Sequence, residues 1–159
     1  MMIRPAEARD VADIAKVWNS EIRTGVSTFN SVEKTTGEVA ELLRARGTAV
    51  QVACDGDDFL GFVTFGSFRG GIGYRHAAEH TIYLTPQAQG RGVGRALMTR
   101  IYEVARAADI HVLVAGISGE NDAGIGFHTA LGFVETGRMP KIARKFGRAM
   151  TLVLMQKEL

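Results

Sequence analysis

The feature that most narrows the possible folds is the run Gln89-Gly90-Arg91-Gly92-Val93-Gly94, set between a strand-like and a helix-like segment. Thr81-Ile82-Tyr83-Leu84 is rich in β-branched and aromatic residues and reads as a strand. Pro86 ends it, because proline cannot donate to a sheet ladder. Downstream, Ala96, Leu97, Ile101, Val104 and Ala105 share one face of a helix over Gly94–Ala108. Such a junction points several peptide N–H groups and the positive end of a helix dipole into one space. Glycine also lets a ligand approach the backbone. Arg91 and Arg95 add charge, so the loop suits a pyrophosphate. A P-loop would finish on Gly-Lys-Ser/Thr, and a dinucleotide fingerprint would read Gly-x-Gly-x-x-Gly. The spacing here is Gly-x-Gly-x-Gly. A glycine-rich turn that only caps a helix remains the alternative.

The rest of the chain reads as one α/β domain over residues 1–159. Met2–Arg4 is a short first strand, and Asp10 offers an N-cap to a helix striped by Val11, Ile14, Val17, Trp18 and Ile22. Thr35-Thr36-Gly37-Glu38 fits a capping box that opens a second helix. Ala49–Cys54 and Phe59–Phe65 read as strands joined by the turn Asp55-Gly56-Asp57-Asp58. His111–Ile117 is a nearly continuous apolar run, as in a strand buried on both faces. A helix over Asp122–Leu131 and strands over Phe133–Gly137 and Met150–Gln156 complete the order. The pattern is a mixed sheet with helices on both faces.

Composition excludes several function classes. A formal charge of +2 offers no clustered basic face for nucleic acid or a membrane surface. No apolar run approaches the roughly 20 residues that span a bilayer. Cys54 is the single cysteine, which rules out an internal disulfide or a cysteine zinc cluster and favours a reducing compartment. It lies in an apolar run and reads as a core residue. With no leader-like start, a cytoplasmic location is expected. The histidines show no metal-ligand spacing, so no metal is expected.

Gln89 to Gly94 also matches the CoA loop Gln/Arg-x-x-Gly-x-Gly/Ala of GNAT acetyltransferases. Further markers follow in order along nearly the whole chain: Phe68-Arg69, Tyr74-Arg75, Glu79 to Leu84, Asn121, His128 to Phe133 and Lys145 to Arg148. The chain therefore resembles the GNAT superfamily, and within it the phosphinothricin and methionine sulfone/sulfoximine acetyltransferase-like branch. That resemblance implies a GNAT fold, in which the strand ending at Leu84 splays from Val112–Ile117 to admit the pantetheine arm of acetyl-CoA. It implies that Ile82, Tyr83 and Leu84 offer backbone to that arm, that Gln89, Gly90, Arg91, Gly92, Val93, Gly94, Arg95 and Ala96 hold the pyrophosphate, and that Asn121 touches the pantetheine. It also implies a homodimer, with the loops Phe68–Glu79 and Lys141–Arg148 near the interface.

Amine acetylation needs an unprotonated amine, so a base is useful. Glu79 is the candidate, since it starts the strand that leads to the loop; a structural ion pair with Arg75 is the alternative. His128 falls where many GNAT enzymes carry a tyrosine near the CoA sulfur, and a histidine there can donate a proton to the departing thiolate. His80 either lines the pocket or packs. His76 and His111 read as loop or surface residues. Arginine forks bind carboxylates, so Arg69, Tyr74 and Arg75 are expected to hold the acid group of an amino-acid-like substrate. Phe29, Trp18 and Met139 read as core or pocket wall. Gly70-Gly71-Ile72-Gly73 and Ala149-Met150-Thr151 depart from the branch pattern, as do Gly124 and Gly126. Acetylation of a protein N-terminus or another amine, and a CoA-binding module without catalysis, remain as alternatives.

Overall fold

A computed structural model describes all residues Met1–Leu159. Seven strands and four helices follow in the order β1 (Met2–Pro5), α1 (Val11–Thr24), α2 (Thr36–Arg46), β2 (Val50–Asp55), β3 (Asp58–Ser67), β4 (Ala77–Leu84), α3 (Val93–Ala107), β5 (Val112–Ser118), α4 (Asp122–Ala130), β6 (Val134–Lys145) and β7 (Arg148–Glu158). The order of elements is the one that the sequence periodicity predicts. All seven strands join one sheet, ordered β1-β2-β3-β4-β5-β7-β6.

Local chemistry accounts for the element boundaries. Thr35 Oγ1 accepts the Glu38 N–H at 3.1 Å, and the Glu38 carboxylate accepts the Thr35 N–H at 2.7 Å. The predicted capping box therefore starts α2, a device worth about 1 kcal/mol. Asp10 sits at the expected N-cap of α1 but makes no side-chain cap there. Its carboxylate instead takes the Arg4 fork at 2.7 and 2.8 Å and the Glu7 N–H at 2.7 Å. The charged fork outcompetes a neutral helix amide.

Two cores flank the sheet. Ile14, Val17, Trp18 and Ile22 of α1 pack with Val50, Val52 and Phe62 on one face. Leu97, Met98, Ile101 and Ala105 of α3 pack with Leu113, Ile117, Val153 and Met155 on the other. Cys54 is half-buried rather than a core residue, because the β2–β3 register shifts between Ala53 and Cys54. Strand β6 runs eight residues beyond the predicted end at Gly137. Its Pro140 is tolerated because β6 is an edge strand whose pairing with β7 breaks between Met139 and Ala143. Met139 is consequently 42% exposed and belongs to neither core nor pocket wall.

The sheet also makes its own opening. β4 and β5 form the one parallel pair, and they pair only from Ala77–Glu79 to Val112–Val114. Past that point β4 stays zipped to β3 as far as Leu84, and β5 stays zipped to β7 as far as Ser118. Each strand is held by its outer neighbour, so the two part and leave facing peptide groups without a ladder partner.

Candidate active site

A cavity of about 550 Å³ fills the gap between the parted strands. β4 lines it from Glu79 to Leu84 and β5 from Ala115 to Ser118. Asn121 and His128 of α4, Phe29 and Val26 of the α1–α2 loop, Gln89 and Leu152 complete much of the wall. Peptide groups on the inner rims of β4 and β5 are obligatory hydrogen-bonding groups. A ligand arm with its own amides satisfies them as a missing strand would.

At the upper end of the gap lies the glycine loop. Gly90 and Gly92 have φ of 73° and 77°, in the left-handed region that glycine occupies without cost. Gly92 is the N-cap of α3 and has no side-chain cap. The first intrahelical bond runs from the Ala96 N–H to the Gly92 carbonyl, 3.1 Å, so the amides of Val93, Gly94 and Arg95 project from the helix end. Gly94 serves a different need: a Cβ there would lie 3.1 Å from the Phe127 ring, so a larger residue would press α3 and α4 apart by a few tenths of an ångström. Ile82, Tyr83, Leu84, Gln89 and Asn121 line the cavity, whereas Gly90, Arg91, Gly92, Val93, Gly94, Arg95 and Ala96 do not, and Val93 and Gly94 are buried at the start of α3. Arg91 turns aside to pair with Asp55 at 2.9 Å. A pyrophosphate at this loop would therefore meet backbone amides and the helix end, with Arg95 exposed nearby. The Asn121 side chain accepts the Gly124 N–H at 2.9 Å and caps α4. This cradle of free amides leading into a cleft of unpaired strand edges fits a diphosphate-bearing pantetheine.

At the lower end, Glu79 occupies the last paired position before the strands part. Its carboxylate lies across β5: a Cβ on Gly116 would fall 3.0 Å from Glu79 Oε1. Burial lifts its pKa above the ordinary value, with no charged neighbour to offset the effect. The side chain keeps access to solvent along the cavity. Arg75 is not its partner, since Arg75 opens onto a separate cleft with Arg46 and Ser67 at the start of β4 and makes no ion pair with Glu79.

His128 and His80 form a buried pair, with Nε2 to Nε2 2.9 Å. His128 Nδ1 lies 2.7 Å from the Gly124 carbonyl, which can only accept, so this nitrogen carries the proton. His128 Nε2 is then bare, and His80 must donate its Nε2–H to it. His80 Nδ1 is left as a buried acceptor without a partner. Burial, helped by the neighbouring His128, pulls the His80 pKa down to about 3, and burial lowers that of His128. Both rings are neutral at physiological pH. Sequence reasoning left His80 undecided, and its partner 48 positions away gives no local signal.

Three expected substrate residues do not reach the cavity within one chain. Arg69, Tyr74 and Arg75 are exposed on the loop before β4. There Arg69 lies 5.6 Å from the Tyr74 ring centroid, and Tyr74 packs on Phe68 at 6.5 Å. Phe29 does reach the wall. His76 and His111 come together beside Asp109, which sequence spacing did not suggest. Their rings stack 4.5 Å apart and only 7° from parallel. Parallel rings cannot both aim a lone pair at one ion, so this cluster is not organised for a metal.

The comparisons agree with this geometry. Residues 14–133 match the model of the Acetyltransferase (GNAT) family. The L-amino acid N-acyltransferase MnaT of Escherichia coli is 36% identical over 162 aligned residues, covering 100% of this chain and 94% of its own length. A ribosomal-protein-alanine N-acetyltransferase from Brucella melitensis superposes with a TM-score of 0.95 at 32% identity, covering 100% of both chains. A putative acetyltransferase from Salmonella typhimurium, solved with its cofactor acetyl-CoA, superposes with a TM-score of 0.94 at 35% identity over 99% of this chain and 93% of that one. With strands parted over a cavity, a helix end free to take a diphosphate and a family match across most of its length, the chain belongs to the GNAT family of N-acetyltransferases.

Proposed function

We propose that this enzyme transfers the acetyl group of acetyl-CoA to the amino group of a small amino-acid-like molecule, of the phosphinothricin or methionine sulfone/sulfoximine type, by direct attack. Acetyl-CoA supplies the activated thioester. The N-terminal amides of α3 hold its diphosphate, the inner edges of β4 and β5 guide its arm, and the acetyl group arrives beside Glu79. Glu79 takes a proton from the substrate ammonium, directly or through one water, and frees the nitrogen lone pair. The N–C bond then forms as the C–S bond breaks, the second amine proton passes to the departing sulfur so that CoA leaves as the thiol, and holding both reactants in one cleft supplies much of the rate. His128 walls the cavity and fixes His80. Donation of a proton to the departing thiolate would first require His128 to release its Nδ1–H from the Gly124 carbonyl, since its Nε2 carries none.

The single observation that carries this reading is the Glu79 carboxylate, unpaired by any cation and set across Gly116 where the strands part. The lining supports an amine: Glu21 and Glu79 are its charged residues, and it contains no lysine or arginine. A substrate carboxylate must then meet arginine from elsewhere. We propose a homodimer in which the loops Phe68–Glu79 and Lys141–Arg148 lie near the interface. Exposed Ile72, Tyr74, Ile142 and Phe146 in these loops support it. Residues 1–159 are taken as one catalytic domain, since one sheet runs through them. A reducing, cytoplasmic location fits the single cysteine.

Release of free CoA should be followed with methionine sulfone, methionine sulfoximine, phosphinothricin and an alanine-ended peptide. The reading expects kcat/KM to be highest for an amino-acid analogue. A preference for the peptide would favour protein N-terminal acetylation, the activity that the Brucella neighbour's name describes. Tight acetyl-CoA binding without release by any amine would favour a binding module.

A further inference from the structure

Lys145 is a charged side chain held almost out of water, 5% exposed, at the end of β6. Its ammonium donates to three carbonyls: Glu21 at 3.2 Å, Gly25 at 2.8 Å and Thr28 at 2.8 Å. An ammonium has three N–H groups, so its donors are fully used. Glu21 and Gly25 lie at the C-terminal end of α1, where the helix dipole favours a cation; the Glu21 carbonyl also accepts the Gly25 N–H at 2.9 Å. Thr28 lies further along, in the Val26–Phe29 segment that lines the cavity opposite the sheet. Lys145 thus does more than cap a helix. It pulls the helix end and the following loop onto one point.

The hairpin that carries Lys145 is built for such a brace. Phe146 and Gly147 form its tip with φ of 53° and 73°, both in the left-handed region, as a two-residue hairpin of the I′ kind requires. This pairs Lys145 with Arg148 across the turn. The Arg148 fork holds the Glu120 carboxylate at 2.7 and 3.1 Å, beside the α4 cap. The next residue, Asn121, has its Nδ2 3.4 Å from Ser27 Oγ in the same loop. One hairpin therefore steadies two walls of the cavity from outside it.

We propose that Lys145 is a positioning residue for the acetyl acceptor: by gathering the Glu21, Gly25 and Thr28 carbonyls, it sets the Val26–Phe29 wall against which the amine fits, with no part in holding acetyl-CoA. This rests on the cavity being the amine's site. Neither local spacing nor composition singles Lys145 out for the role, because its acceptors lie more than 100 positions away.

The test compares Lys145→Met, Lys145→Arg and, as a control for charge alone, Arg106→Met in the last turn of α3. Three quantities are read: amide hydrogen exchange over residues 26–29, the dissociation constant for acetyl-CoA, and KM and kcat for the best amine of the panel. For Lys145→Met, exchange in that segment and amine KM should each rise about tenfold or more, as expected when carbonyls lose a charged donor. Acetyl-CoA affinity should stay within about twofold of the parent enzyme, and kcat should change less than amine KM. Lys145→Arg should fall between, because a flat fork keeps the charge but cannot reach three converging acceptors. Arg106→Met should resemble the parent. The proposal fails if amine KM and acetyl-CoA affinity worsen together, if exchange over 26–29 stays at the parent level, or if exchange accelerates while amine KM does not move. Should Lys145→Met not fold, Lys145→Arg carries the same readouts at smaller amplitude. Failure of the broader functional reading shows up separately, as undiminished turnover in Glu79→Gln.

Discussion

The two ends of the cleft are built on opposite plans. On the proposed reading, the cofactor end is made by eight consecutive residues, Gln89 to Ala96, and works through backbone amides and a helix terminus. The amine end is gathered from distant segments: Glu79 on β4, Gly116 on β5, Phe29 after α1, and Lys145 on β6. It works through side-chain placement. Backbone geometry fixed by local turns tolerates change elsewhere in the chain, whereas placement by long-range packing responds to single atoms. The cofactor end should thus be sensitive to glycine φ, and the amine end to side-chain volume and charge.

The sharpest way to separate the two ends is Glu79→Gln. Turnover should fall by roughly 10²–10⁴-fold, the range for loss of a general base. Acetyl-CoA affinity, measured by calorimetry, should be unchanged. Next in size is Gly116→Ala. Its new Cβ would fall 3.0 Å from Glu79 Oε1 and push the carboxylate aside. A misplacement on the order of 1 Å can cost about 100-fold in kcat; the shift needed here is a few tenths of an ångström, and steady-state kinetics should show a loss of about tenfold. Equal losses of acetyl-CoA affinity in either variant would break the comparison.

The opposite pattern is expected at the other end. Gly92→Ala must place an L side chain at φ 77°, a strain of about 1–2 kcal/mol. Acetyl-CoA affinity should fall about tenfold, while kcat at saturating acetyl-CoA stays near the parent value. The smallest effect is on stability. Burial raises the Glu79 pKa in the folded chain, so the fold loses stability as pH rises through that value, when a partly buried carboxylate must ionise. Glu79→Gln removes this cost. Its melting temperature should exceed the parent's at neutral pH and converge with it at acid pH, below the carboxylate's unfolded value. A reversed order at neutral pH would show that Glu79 is stabilised by a partner, as a structural ion pair would be.

This contrast also explains what the sequence could and could not convey. The loop, the helix it opens and the Thr35–Glu38 capping box depend on neighbours a few residues apart, so their chemistry is written in order. The parting of β4 from β5 is not written locally; it follows from which outer strand each one keeps, and only the family resemblance foretold it. The His80–His128 contact joins residues 48 positions apart. One strand residue and one helix residue carry no mark of that meeting. The outward turn of Arg69, Tyr74 and Arg75 was equally hidden, because residue type states what a side chain can bind but not which way its loop faces. Met139 misled for the same reason: an apolar residue on an edge strand next to Pro140 need not be buried.

The most direct test of the account is the pH dependence of kcat/KM for the amine, measured in parallel on the parent enzyme and Glu79→Gln. Activity of the parent should fall as the medium is acidified through a group titrating above the ordinary carboxylate range, because protonated Glu79 can no longer accept a proton. In the Gln variant that acid limb should vanish from a much lower profile. A variant that keeps both the limb and most of the parent's rate would contradict the placement of proton transfer on Glu79.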